Sequence, residues 1–89
     1  MIRKKIQIIN KLGLHARAAA KFVQTAGKYA SHIEVNNDGK VVNGKSIMGV
    51  MMLAASQNTW IELKISGEDE ETALTALEQL ISNRFGESR

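Results

Sequence analysis

The chain contains no cysteine and no proline. Without cysteine there is no disulfide framework, no thiolate metal site and no cysteine nucleophile, and the chain suits a reducing compartment. The absence of proline fits one compact unit, because no Pro-rich linker divides it. Aromatic residues are also scarce, with one Trp, one Tyr and two Phe. That is too few for the base stacking used in single-stranded nucleic acid binding, and no recognisable nucleic-acid motif is present. No apolar run approaches the roughly 20 residues of a membrane helix. The basic N-terminal segment MIRKKIQIIN is interrupted by polar residues before it could form a signal-peptide core. These absences point to a soluble, cytoplasmic protein with no membrane insertion. Two histidines and no cysteine give no expectation of a metal site.

What is present suits one domain, residues 1–89, large enough for one modest core. Charge is unevenly distributed. Residues 1–45 hold nine Lys/Arg against Glu34 and Asp38, a balance of +7, whereas residues 46–89 hold Lys64, Arg84 and Arg89 against seven acids, a balance of −4. A basic half favours an anionic partner, whether a phosphate group, an acidic protein surface or nucleic acid.

Alternation of apolar and polar residues predicts a strand over Lys4–Ile9, with Ile6 and Ile8 inward, and a second over Ser31–Asn36, with Ile33 and Val35 inward. Asn37-Asp38-Gly39 is a turn signal that joins the second strand to a short third one at Lys40–Val42. Thr59–Ser66 predicts a fourth strand, with Ile61, Leu63 and Ile65 inward and Trp60 near an edge or end. Helical spacing of Ala16, Ala19, Ala20, Val23 and Ala26, with Phe22 beside them, predicts a first helix that ends near Gly27 or Lys28. Ser46 stands as N-cap of a short helix from Ile47 to about Ala54, in which Val50 and Leu53 face inward. The acidic run Glu68–Glu71 opens a last helix carrying Ala73, Leu74, Leu77, Leu80 and Ile81, ended by Gly86, with Glu87–Arg89 as a tail. Its carboxylates are read as charges that complement the helix dipole. The order is βαββαβα. The expected class is a two-layer α/β (α+β) domain, a four-stranded antiparallel sheet with three helices on one face.

The stretch Asn10–Lys21, NKLGLHARAAAK, is the chemical focus. No Ser, Thr, Asp or Asn stands where the first helix begins, although those side chains cap helices best. His15 stands there instead, so free N–H groups and the positive end of the dipole lie beside a nucleophilic nitrogen. Arg17 adds a forked, permanently charged contact, and the surrounding Gly and Ala leave room for a ligand. An imidazole with a pKa near about 6.5 is partly neutral at cytoplasmic pH and can attack phosphorus. This arrangement suits phosphorylation on histidine.

Gly13-Leu14-His15-Ala16-Arg17 and the later Asn43-Gly44-Lys45-Ser46-Ile47-Met48-Gly49, together with length and element order, resemble the HPr-type phosphocarriers of the bacterial phosphoenolpyruvate-dependent phosphotransferase system. The resemblance covers nearly the whole chain. It implies an HPr-like fold and a phosphoryl group carried on Nδ1 of His15, received from enzyme I and passed to enzyme IIA domains. Arg17 and the backbone N–H groups of Ala16 and Arg17 would hold the phosphate, with no cofactor. It also implies regulatory phosphorylation of Ser46 by an HPr kinase/phosphorylase. One departure is Ala18, where the family usually has proline. Proline is tolerated in a first helical turn because its missing N–H would be unpaired there. Ala18 restores that donor and is expected to leave the site working.

Ile47, Met48 and Met51 are expected at the surface, an apolar patch rimmed by Arg17 and Lys45 where partners dock, with flexible methionines that suit several partners. Gly39–Ser46 satisfies the P-loop expression G-x-x-x-x-G-K-[ST]. That motif needs an open loop between its glycines, whereas Lys40–Val42 reads as a strand, so nucleotide binding is not expected. His32 alternates outward with no partner in the pattern and reads as a plain surface residue. The favoured function is thus a monomeric phosphoryl carrier that turns over nothing alone. The nitrogen-related branch of the same carriers is one alternative. A basic module binding nucleic acid or an acidic protein is another.

Overall fold

Strict alternation over seven residues makes Trp60–Ser66 the strand on which the sheet is assembled. The computed structural model describes residues 1–89. The chain runs β1 (Ile2–Gln7), α1 (Ala16–Ala26), β2 (His32–Asn37), β3 (Lys40–Asn43), α2 (Ile47–Met52), β4 (Trp60–Ser66) and α3 (Glu70–Ser82), with a closing 3₁₀ turn at Arg84–Gly86. The sheet order is β1-β4-β2-β3, antiparallel throughout. β4 is flanked on one side by β1, from Ile2 opposite Ile65 to Gln7 opposite Trp60, and on the other by β2, with Val35 opposite Leu63. Ile33, Val35, Ile61, Leu63 and Ile65 are buried towards the helices, while Trp60 is exposed at the start of its strand. The expected two-layer class and element order are those observed.

Asp38 and Gly39 both take left-handed backbone angles (φ 52° and 88°) between β2 and β3. Two-residue hairpin turns favour that geometry because it follows the twist of the strands. The first strand begins and ends two residues earlier than its alternation suggests, since β1 pairs along almost the whole of β4. Ile8, just past it, is fully buried and still pairs with the opposing loop: its N–H donates to Thr59 O at 2.9 Å.

The buried stripe of α1 is rotated from the expected one. Ala18, Ala19, Phe22 and Ala26 are buried, whereas Ala16 is exposed and Ala20 and Val23 are half-buried. Phe22, the largest apolar side chain of the helix, sets the phase, and small alanines follow it. α3 stops at Ser82, before Gly86. Arg84 and Phe85 turn left-handed (φ 55° and 54°), which drives Phe85 fully into the core. Left-handed backbone costs about 1–2 kcal/mol per residue, and burying a phenylalanine contributes up to about 3 kcal/mol, so the two are of comparable size. Glu87–Arg89 is therefore no free tail. The chain is folded back towards α1, where the Lys21 ammonium donates to Phe85 O at 2.6 Å.

Two acids at the start of α3 do more than complement its dipole. Asp69 accepts from the Ala30 and Ser31 N–H groups at 2.8 and 2.9 Å and from the Ser31 hydroxyl. Glu70 accepts from Gly67 N–H at 3.1 Å and pairs with the N-terminal ammonium at 3.0 Å. They tie the α1–β2 loop and the chain start to one helix end.

Candidate functional site

The loop between β1 and α1 is held from two directions. Leu14 N–H donates to Ala55 O at 2.8 Å, which fastens the loop to the segment just past α2. Gly13 lies so close to that segment that a Cβ there would come within 2.4 Å of Ala55 O, and its φ of +68° is one that other residues avoid. Asn10 is fully buried, and its Nδ2 donates to Gly13 O at 2.9 Å and to Glu87 Oε1 at 3.0 Å. Both partners are acceptors, which fixes the orientation of the amide and leaves Asn10 Oδ1 buried without a partner.

His15 is the N-cap of α1, extended (φ −74°, ψ 179°), with no side-chain capping bond. Pairing within the helix begins at Ala19 N–H, which donates to His15 O at 2.8 Å. The N–H groups of Ala16, Arg17 and Ala18 thus precede the helical ladder, as helix geometry requires. The sequence-derived trio of His15, Ala16 and Arg17 comes together on one depression of about 890 Å³, also bordered by Lys11, Lys21 and Arg89. Arg17 is exposed and makes none of the chain's ion pairs.

Glu87 is the member of this site that sequence reasoning missed. Its Oε2 pairs with His15 Nε2 while its Oε1 accepts from Asn10. The two side chains are 28% and 15% exposed, so the pair is shielded without being sealed off. Burial alone raises the Glu87 carboxyl. The hydrogen bonds from His15 and Asn10, with the charges of His15 and Lys21, outweigh that and hold it below the ordinary carboxylate value. Of the two ring nitrogens, Nε2 is engaged and Nδ1 has no hydrogen bond, so Nδ1 is the one available to a ligand at the helix start.

The family model described as the PTS HPr component phosphorylation site matches residues 2–83. The chain belongs to the HPr family. HPr is a phosphocarrier of the phosphotransferase system, and its bacterial relatives extend over nearly the whole chain. The phosphocarrier protein HPr of Xylella fastidiosa is 55% identical, the match covering 98% of each chain, and that of Neisseria meningitidis serogroup A is likewise 55% identical over 98% of each. A crystal structure of HPr from Thermoanaerobacter tengcongensis superposes with a TM-score of 0.96 at 53% identity, covering 100% of both chains. An HPr dimer from the same organism superposes at 0.79, with 54% identity over 98% of this chain and 100% of that one.

The second HPr motif lies at the other end of the helix pair. Lys45, just before α2, donates from Nζ to Tyr29 O beyond the end of α1 at 2.6 Å, whereas the segment just past α2 meets the loop before α1. The packed helices are therefore antiparallel, which sets the start of α2 towards the C-terminal end of α1 and His15 at its N-terminal end. Ser46 caps α2 as expected, its Oγ accepting from Gly49 N–H at 3.1 Å. Ile47, Met48 and Met51 are exposed, while Val50 and Leu53 are buried. Met52 and Leu12 are further exposed apolar side chains, and neither was singled out from the sequence. Lys45 reaches to the Tyr29 carbonyl, so of the two expected rim charges Arg17 alone is unengaged.

Two minor expectations are settled by geometry. The P-loop-like stretch is strand β3 between two turns, with Gly44 N–H tied to Ile33 O at 2.7 Å. His32 does have a partner: its Nε2 meets Glu34 Oε2 at 2.9 Å across one face of β2, and that hydrogen bond, ahead of the charge of Lys64, lowers the Glu34 carboxyl. Residues i and i+2 of a strand share a face, so the sequence did contain this contact.

Proposed function

We propose that His15 carries the phosphoryl group, accepting it from enzyme I and passing it to enzyme IIA domains. The observation that carries the reading is the uncapped start of α1. There a half-buried imidazole has Nε2 engaged and Nδ1 without a hydrogen bond, at a helix start where the N–H groups of Ala16 and Arg17 precede the helical ladder. Phosphoryl transfer through a loose, in-line transition state asks for alignment and charge compensation more than for covalent machinery. Arg17 and the helix N–H groups compensate the oxygens of the transferred group. The partner enzymes supply the rest, so the protein turns over nothing alone and needs no cofactor.

Ser46 is the second modification site in this reading, phosphorylated by an HPr kinase/phosphorylase for regulation. A phosphate at a helix N-terminus is favoured electrostatically and does not unfold α2. It acts on docking by placing charge beside Ile47, Met48 and Met51. The protein is proposed to work in the cytoplasm as a monomer. Its edge strand β1 exposes Arg3, Lys4 and Lys5, which repel a second copy at that edge.

The test is incubation with phosphoenolpyruvate and enzyme I. An acid-labile, alkali-stable phosphate is expected, absent in His15→Ala, and transferable to an enzyme IIA domain. A Ser46 phosphate survives acid and is told apart in the same assay. No acid-labile label, with tight salt-sensitive nucleic-acid binding in its place, overturns the reading.

A further inference from the structure

The pair formed by His15 and Glu87 has a built environment. Each carboxylate oxygen of Glu87 meets one donor, Oε2 the His15 Nε2 and Oε1 the buried Asn10 amide. The backbone before Glu87 is fixed by the core-embedded Phe85 and by Glu87 N–H donating to Arg84 O at 2.9 Å. The carboxylate is therefore aimed at one ring nitrogen by packing and by a second hydrogen bond.

Resting on the proposal that His15 carries phosphate, we infer that Glu87 is a positioning residue for the transfer: its carboxylate keeps the imidazole proton on Nε2 and presents Nδ1 as the nucleophile. Fixing one ring nitrogen decides what the other can do. On acceptance, the Nδ1 lone pair forms the N–P bond as the bond from phosphorus to the donor breaks, and that bond's electron pair leaves with the donor. The Nε2 proton stays in place, so the phosphorylated ring gains one positive charge opposite the Glu87 carboxylate. On onward transfer the N–P electron pair returns to Nδ1 and a neutral imidazole is left. Glu87 favours the protonated phosphoimidazole, the form with the better leaving group.

The other charged side chains that border the depression are cationic and oppose this: Lys11 from the loop, Arg17 and Lys21 from α1, and Arg89 from the chain end. Glu87 is the only acidic side chain among the residues that border the depression.

The test phosphorylates the full-length protein chemically with phosphoramidate, without partner enzymes, and follows loss of the phosphohistidine against pH in wild type, Glu87→Gln and Glu87→Ala. An opposite charge in contact shifts a titration by about one unit or more. Loss of the charge therefore moves the inflection of the hydrolysis profile about one pH unit lower, about tenfold slower on the falling limb. The Nε2–H proton resonance of unphosphorylated His15 is expected in wild type and Glu87→Gln, which keeps an acceptor, and lost by exchange in Glu87→Ala. Superimposable pH profiles in the three proteins, with equal urea midpoints, overturn the role of Glu87. If phosphoramidate labels His15 but enzyme I does not, the carrier proposal falls and the positioning role stands.

Discussion

Gly13 shows how little freedom a residue two positions before His15 has. A Cβ there meets Ala55 O at 2.4 Å and Ser56 Cα at 2.8 Å, both backbone atoms that cannot swing aside, and the φ of +68° is strained for any L side chain. Gly39 supplies the internal comparison. It has an equally left-handed φ of +88° but nothing within 4 Å of the added atom. Gly39→Ala should then lose only the conformational cost, about 1–2 kcal/mol. Gly13→Ala adds a packing clash and should lose about 2–4 kcal/mol in all. Urea unfolding measures both. Gly13→Ala should also slow phosphorylation of His15, because relief of the clash strains the Leu14–Ala55 bond that fastens the loop, whereas Gly39→Ala should not. Equal losses in the two variants would show that the close approach at Gly13 carries no weight. Ala18 shows a different residue-scale choice. It is fully buried in the first turn and keeps an N–H that a proline there would remove, a further donor at the helix start.

The start of α3 shows what a helix end can do beyond its own dipole. The Ser31 side chain, then the Ala30 N–H, lower the Asp69 carboxyl from its ordinary 3.8. A carboxylate with a lowered folded pKa adds stability that is present above the unfolded value and lost as pH falls through the folded one. Asp69→Asn should therefore lower the urea midpoint at pH 7, and its difference from wild type should shrink below about pH 3.8, as wild type loses the same charge. A difference that persists unchanged to pH 2 would mean that Asp69 acts through shape alone. The partners of Asp69 lie 38 and 39 residues away, and those of Glu87 lie 72 and 77 away. No local periodicity records such pairs, which is why both acids read from the sequence as an ordinary helix start and an ordinary tail. Strand identities and the Ser46 cap were legible because alternation and capping are local. In α1 the phase of the stripe was not, because five alanines in eleven residues are apolar on every side and only Phe22 breaks the degeneracy. The left-handed pair Arg84–Phe85 carries no glycine to announce it, so α3 read as continuing to Gly86.

Across the whole molecule, charge is sorted by function more than by fold. The basic first half supplies Lys11, Arg17 and Lys21 to the depression at His15, and the chain end adds Arg89, with Glu87 the only acidic side chain among them. The outer face of the sheet mixes signs instead, with Lys64 opposite Arg3 on one side and Glu34 on the other. A concentrated field of one sign draws an oppositely charged partner and raises the encounter rate more than the final affinity. Raising ionic strength from about 0.1 M to about 1 M shortens the screening length from about 10 Å to about 3 Å. On the proposed function, the rate at which enzyme I phosphorylates His15, measured as kcat/KM for the carrier, should then fall about tenfold or more. Lys11→Gln combined with Arg89→Gln should flatten that dependence, since both charges border the site and neither holds the loop. Lys64→Gln removes one such charge from the far face and should leave the slope unchanged. A slope that responds equally to all three substitutions would trace the attraction to net charge alone, and a rate independent of salt would mean that the apolar surface of Ile47, Met48 and Met51 governs docking without electrostatic guidance.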